Sequence, residues 1–309
     1  MQIESEKDGE GPKGSDIARK LPWQDPRVLF RYKLRRLADK MVVAVTILAV
    51  VVVLYPLLDI LFMFFYRGAL AISIPRLTGL TLQFGLANAI VGTLLLVSLS
   101  TIIAVPLGVL GGIYLAEFSA QDQMSKTFAG TVRFLSDVLS GMPSILLGYV
   151  GFLILVIDFG WGLSPLAGGL ILSILMLPYV IKTTELSIRK VPLKLREAAT
   201  ALGATKTQMV NRMTFPLALP GILTGIILSM SISIGETAPL LFTAGFSNYY
   251  PCGLTNCQVG FLTYIIYTFA KIPTTDSLSL AYLSAFLLIS FSLVLNMTAR
   301  IGLRRLSKI

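Results

Sequence analysis

Long apolar stretches dominate this chain, and its polar residues gather in the connections between them. Six stretches stand out: residues 41–65, 88–115, 138–157, 163–181, 215–242 and 278–297. A bilayer's hydrocarbon core is about 30 Å thick and a helix rises 1.5 Å per residue, so a span needs roughly 20 mostly apolar residues. Lipid offers no partner to backbone N–H and C=O groups, which makes helices the expected spanning form. A barrel would need alternating strands of about ten residues, and the unbroken runs exclude it. The predicted fold class is therefore all-α, a polytopic membrane protein with six transmembrane helices. The third and fourth runs lie close together and are rich in Gly and Pro, so their ends are the least sharply defined.

Composition supports this class. The 309 residues are 55% hydrophobic and only 14% charged, with a mean hydropathy of +0.78. A soluble domain carries about a quarter of its residues as charges. The basic residues set the topology. Of 26 Lys and Arg, 23 fall before the first run, between runs two and three, between runs four and five, or after the last; only Arg67, Arg76 and Lys271 fall on the opposite side. The positive-inside rule then places both termini in the cytoplasm, which an even span count allows. The net charge of +10 is explained by this orientation and by contact with anionic lipid, and gives no argument for nucleic acid. Residues 1–40 read as a cytoplasmic, disordered basic leader without the form of a cleaved signal peptide. Residues 41–303 form the six-span domain, and 304–309 a short cytoplasmic tail.

The longest internal cytoplasmic segment, about 182–216, is the most informative. Pro192 sits where a helix can start, since a first-turn proline lacks no needed donor. Leu195, Ala198, Ala199 and Leu202 follow at i, i+3, i+4 and i+7, one apolar stripe on a short helix. Gly203 stands where a helix stops, and a second amphipathic stretch, 206–214, leads to Pro216. The segment reads as helix, turn, helix on the cytoplasmic face. Such a stripe either packs on its own membrane domain or waits for a partner's groove.

The residues themselves carry a resemblance. Glu197-Ala198-Ala199, three intervening residues, Gly203, nine intervening residues, then Met213-Thr214-Phe215-Pro216, is similar to the EAA motif of ABC importer permeases. It departs from the family pattern only at Met213 and Phe215. The resemblance implies the type I permease fold, with this loop docking into an ATPase subunit through Arg196, Glu197, Ala198, Ala199, Gly203 and Pro216. Gly235-Glu236-Thr237-Ala238-Pro239, continuing to Ala244, Gly141-Met142-Pro143-Ser144-Ile145 and Leu295 to Arg300 resemble segments of PstA-type phosphate permeases. By that resemblance Gly235, Glu236, Thr237, Pro239, Gly141, Pro143 and Ser144 line a translocation or selectivity path. It also implies partners: a second permease of the PstC type, a dimeric ATPase of the PstB type, an extracytoplasmic phosphate-binding protein of the PstS type, and membrane lipid. The implied setting is a prokaryotic cell membrane.

Glu236 needs an explanation of its own. A carboxylate at mid-span costs on the order of 2.5–3.5 kcal/mol by insertion scales, so it should face a cavity or a partner. One reading makes it a polar peg to a second permease subunit. The other makes it a selectivity device: hydrogenphosphate carries a proton that a carboxylate can accept, whereas sulfate presents only acceptors. The positive charge that phosphate requires must then come from Arg side chains or helix N-termini. The family often places an Arg one turn earlier; this chain has Ile232 there.

Other positions are read as packing: Pro106, Pro143 and Pro178 as kinks or breaks, and Gly92, Gly108, Gly111 and Gly112 as close-contact sites. Cys252 and Cys257 fall in the outer loop between runs five and six. Either they close a disulfide, which an oxidising exterior favours, or they are free thiols. The chain has no His, no Gly-rich phosphate loop, no metal-ligand cluster and no nucleophile–base pair. No metal, cofactor or catalytic residue is expected, and ATP hydrolysis falls to a partner. Competing functions are an ABC permease for molybdate, tungstate or sulfate, and a stand-alone secondary transporter. The latter predicts charges in several spans and inverted repeats.

Overall fold

In the computed structural model, which describes residues 26–120 and 122–306, the apolar runs fold as helices, and no strand occurs among the described residues. The chain divides into two units, 1–62 and 63–309. The described part of the first unit belongs to α1 (Pro26–Leu70), 45 residues with Pro56 inside. Of the leader expected over 1–40, residues 1–25 lie outside the described residues, and 26–40 form the start of α1. Of the expected tail, 304–306 end the last helix and 307–309 are outside the described residues.

The second unit runs through α2 (Ile74–Thr78), α3 (Ala87–Ile113), α4 (Gln123–Gly141), α5 (Ser144–Gly151), α6 (Pro165–Arg189), α7 (Leu193–Ala201), α8 (Lys206–Met209), α9 (Phe215–Gly235), α10 (Ala238–Thr243), α11 (Leu262–Phe269) and α12 (Thr275–Leu306). Three π turns, Tyr114–Phe118, Phe152–Asp158 and Val210–Thr214, extend α3 and α5 and lead into α9. Among the described residues five helices are long and apolar enough to cross a membrane, or six if the bent pair of α4 and α5 is one span.

Two of the expected spans are interrupted, and the interruptions share a cause. The run 138–157 bends by 105° between α4 and α5. Pro143 has no N–H for the carbonyl of Leu139, and its ring drives the preceding residue out of helical conformation. Met142 is accordingly extended, with ψ 135°. The run 215–242 stops at Gly235; Glu236 is extended, with φ −71° and ψ 133°, and α10 begins at Ala238. In a continuous helix the ring of Pro239 would strike the carbonyl of Gly235. A proline alone does not suffice, since α3 passes Pro106 and α6 passes Pro178 without ending. Each break adds a glycine, Gly141 or Gly235, which costs about 1 kcal/mol relative to Ala in a helix.

Small residues let α3, α6 and α9 approach closely. A Cβ built on Gly112 would lie 2.5 Å from Thr184 Cβ, one on Gly108 2.7 Å from Val180 Cβ, and one on Gly225 2.4 Å from Thr183 Cβ. Within lipid such contact, and not apolar burial as such, drives helices together. The fully enclosed side chains Leu96, Leu172, Leu240, Val259 and Phe261 fill the centre. Ile188, Val191, Ala218 and Ile222 seal the end of α6 beside the 182–216 loop.

Candidate functional site

The two breaks meet. A Cβ on Gly148 would lie 2.5 Å from Pro239 Cα, so α5 and α10 pack backbone to backbone. Tyr149 and Phe242 add an edge-on ring contact with centroids 6.1 Å apart. This packing brings Ser144, in the first turn of α5, close to the Glu236 side chain. The sequence names both segments separately; nothing in their spacing shows that they touch.

Glu236 is half-buried. Its amide donates to Ser233 O at 3.2 Å, and its carbonyl accepts from Thr263 Oγ1 at 2.9 Å. Behind it lies a row of hydroxyls. Ser233 and Ser100 approach at 3.4 Å, and Thr93 Oγ1 accepts from the Leu262 amide at 3.0 Å. Glu236, Ser233, Thr93 and Thr263 line a cavity of about 10 Å³, room for about one water. The other side is open: at Gly141 and at Gly235 an added Cβ would meet nothing within 4 Å. Pro143 is exposed, Thr237 partly so, and Pro239 buried. Among the described residues Glu236 forms no salt bridge.

Local chemistry also shapes the 182–216 loop. Pro192 is the N-cap of α7 rather than its first residue. The Leu202 amide reaches Ala198 O and the Ala204 amide reaches Ala199 O, each at 3.1 Å. Gly203 adopts φ +82° between them, as a left-handed helix end requires. Thr205 and Gln208 then form a capping box that starts α8. The second arm does not lie apart as a surface helix. It continues through the π turn into α9, giving one 30-residue helical stretch, Lys206–Gly235. Pro216 sits in the first turn of α9, where its missing N–H is harmless.

The apolar stripe of α7 is left uncovered by its own chain. Leu195 is 42% and Leu202 89% exposed, Glu197 and Ala198 are exposed, and Ala199 is partly so. Arg196 departs from this set. It turns inward, pairing with Glu117 at 2.8 Å and donating to the carbonyl of Ile188.

Sequence reasoning missed a band of charges between this loop and the breaks. Lys182 pairs with Asp137 and donates to Ser140 Oγ, both at 2.8 Å. Glu185 binds Arg133 at 2.9 Å and Arg189 at 2.7 Å. Counted for topology alone, these basic residues carry no signal of whom they pair with. Glu117 hides just beyond an apolar run.

Cys252 and Cys257 form a disulfide, with Cα atoms 5.9 Å apart. Their loop is fastened to the neighbouring connection, since Asn256 N donates to Trp161 O at 2.7 Å and Leu166 N to Leu254 O at 3.0 Å.

Comparison with known proteins completes the picture. Residues 104–308 match the family described as binding-protein-dependent transport system inner membrane component. The phosphate transport system permease protein PstA 2 of Mycobacterium bovis is 45% identical over 218 residues, 70% of this chain and 71% of that one. The PstA protein of Pasteurella multocida is 38% identical over 282 residues, 89% of this chain and 97% of that one. Among solved structures, an inward-facing MetNI methionine ABC transporter matches with a TM-score of 0.61 at 19% identity, covering 72% of this chain and 95% of that chain. An alginate ABC transporter matches at 0.56 and 15%, covering 90% and 99%. These two show the fold, the ABC importer permease fold expected from the motif. The chain belongs to the inner membrane components of binding-protein-dependent transport systems, of the PstA phosphate-permease type, and is a multi-pass transport subunit and not an enzyme.

Proposed function

We propose that this chain forms half of the translocation pathway of an ATP-driven phosphate importer and couples it to an ATPase through α7. The observation that carries this reading is the meeting of two broken helices at Ser144 and Glu236, open on one side and closed behind by hydroxyls. A hydrogenphosphate proton has an acceptor there, and the Ser144 hydroxyl supplies a donor for a phosphate oxygen. The names of the PstA relatives support the cargo. The chain works with another permease, an ATPase and a binding protein; PstC-, PstB- and PstS-type proteins are the proposed identities. Its uncovered stripe on α7 fits an ATPase groove.

Reconstituted with those three partners in vesicles, the complex is expected to take up phosphate only with ATP and binding protein, and unlabelled sulfate or molybdate at equal concentration should compete weakly. Uptake that follows molybdate instead would overturn the cargo.

The basic-residue distribution supports both termini inside and the disulfide loop outside. After mild reduction, a membrane-impermeant thiol reagent is expected to label Cys252 and Cys257 in intact cells. Labelling confined to inverted vesicles would reverse the orientation.

A further inference from the structure

The π turn Tyr114–Phe118 at the end of α3 binds the coupling helix with one group and α4 with another. Its side chain Glu117, 6% exposed, meets Arg196 of α7, 16% exposed, at 2.8 Å. Its backbone faces the other way. A π turn shifts the hydrogen-bond ladder by one residue, which leaves carbonyls without their usual amide. The Leu115 carbonyl accepts from Ser119 Oγ at 2.8 Å and from Arg133 of α4 at 3.0 Å. Arg133 is held at the same time by Glu185 of α6, Nε to Oε1 at 3.0 Å. From Arg133, α4 leads to Gly141, the Pro143 bend, and Ser144 opposite Glu236. A contiguous series of contacts thus joins α7 to the two helix breaks without passing along the covalent route through α8 and α9.

The first link is tight but not saturated. Neither Glu117 Oε1 nor Arg196 Nε finds a directed hydrogen bond among the described residues, although the charges touch. Arg196 is held as well by its hydrogen bond to the Ile188 carbonyl, so the pair ties Glu117 to the end of α6 and to α7 together. The Arg133 links are directed hydrogen bonds from a guanidinium fork to a carbonyl and a carboxylate, which resist slippage.

We propose that Glu117, Arg196 and Arg133 are positioning residues that carry a displacement of the coupling helix α7 through the π turn to α4 and so to the bend facing Glu236. This rests on the reading of α7 as the ATPase-docking element. It assigns Arg196 to transmission within the chain and leaves the docking contact itself to Glu197, Ala198 and Ala199.

The test uses the complete complex in vesicles and reads phosphate taken up per ATP hydrolysed. Glu117→Gln keeps size and removes the charge. It is expected to retain the ATPase on co-purification while uptake per ATP falls by about ten-fold, the size of a typical coupling free energy. The charge exchange Glu117→Arg with Arg196→Glu is expected to restore the ratio to within a few-fold. Should Glu117→Gln fail to assemble, Glu117→Asp and Arg196→Lys keep both charges but change the reach, and an assembled complex with a lowered ratio is then the expected result. A wild-type ratio in any assembled single variant overturns the proposal. So does a charge exchange that restores assembly without restoring the ratio, because a merely structural pair would behave that way. A wild-type complex that takes up no phosphate would instead defeat the underlying functional reading.

Discussion

Glu236→Gln is expected to leave the importer assembled, to cut phosphate uptake by one to two orders of magnitude, and to let sulfate compete. The argument begins with what Gln changes. It keeps the length of Glu and one acceptor oxygen, loses the charge, and adds two N–H donors. Hydrogenphosphate then loses a charge-assisted acceptor for its proton, an interaction of about 1.5–3 kcal/mol, equivalent to roughly 10- to 150-fold. Sulfate, which has only acceptors to offer, gains a donor. The structure bears on the alternative, in which Glu236 pegs this chain to a second permease. Ser144 of its own chain lies near the Glu236 side chain, and the Glu236 backbone is held by Ser233 and Thr263. Were it instead paired with a partner's arginine, Gln would strand that charge and weaken the complex by a few kcal/mol. Subunit stoichiometry of the purified mutant, read beside uptake with sulfate as competitor, separates the two. Dissociation supports the peg, and intact assembly with selective, wild-type uptake defeats both.

Gly203→Val is expected to abolish coupling while sparing the membrane domain. Gly203 holds φ +82°, where an L-residue costs about 1–2 kcal/mol and a β-branched one more. Space is not the obstacle, since an added Cβ would meet nothing within 4 Å. The strain is purely conformational. It falls on a nine-residue helix that only Arg196 anchors inward, so α7 can give way with little disturbance of the core. The bonds to Ala198 O and Ala199 O would be the first lost, and with them the presentation of Glu197 and Ala198. Thermal unfolding of the detergent-solubilised permease should stay within a few degrees of wild type. ATPase co-purification and substrate-stimulated hydrolysis should both fall to background. Survival of both would remove Gly203 from the coupling role.

The apolar runs made the helices legible because each is a property of about 20 consecutive residues. The positions of Gly203, Pro216 and the α7 stripe followed from local cap and turn chemistry in the same way. The break at Pro143 is among those expected from the sequence, whereas the interruption at 235–238 is not. Pro106 and Pro178 sit in helices that continue, so proline by itself does not announce a break; a glycine beside it and packing against a second broken helix decide the outcome. The proximity of Ser144 to Glu236 is hidden for a related reason, since 92 positions separate them and the α5–α10 contact brings them together. Arg196 was grouped with its neighbours in the motif. Its inward turn depends on Glu117, 79 positions earlier, which no periodicity connects to it.

The continuity of Lys206–Gly235 has a geometric consequence. Thirty residues at 1.5 Å each make a lever about 45 Å long. One end begins at the capping box beside Gly203, and the other stops at the residue before Glu236. Pivoted at one end, such a lever tilted by only about 5° moves its far tip by about 4 Å. That displacement exceeds the length of a hydrogen bond. A nudge at the proposed ATPase-docking end too small to unpack any helix would therefore suffice to change the separation of Ser144 and Glu236.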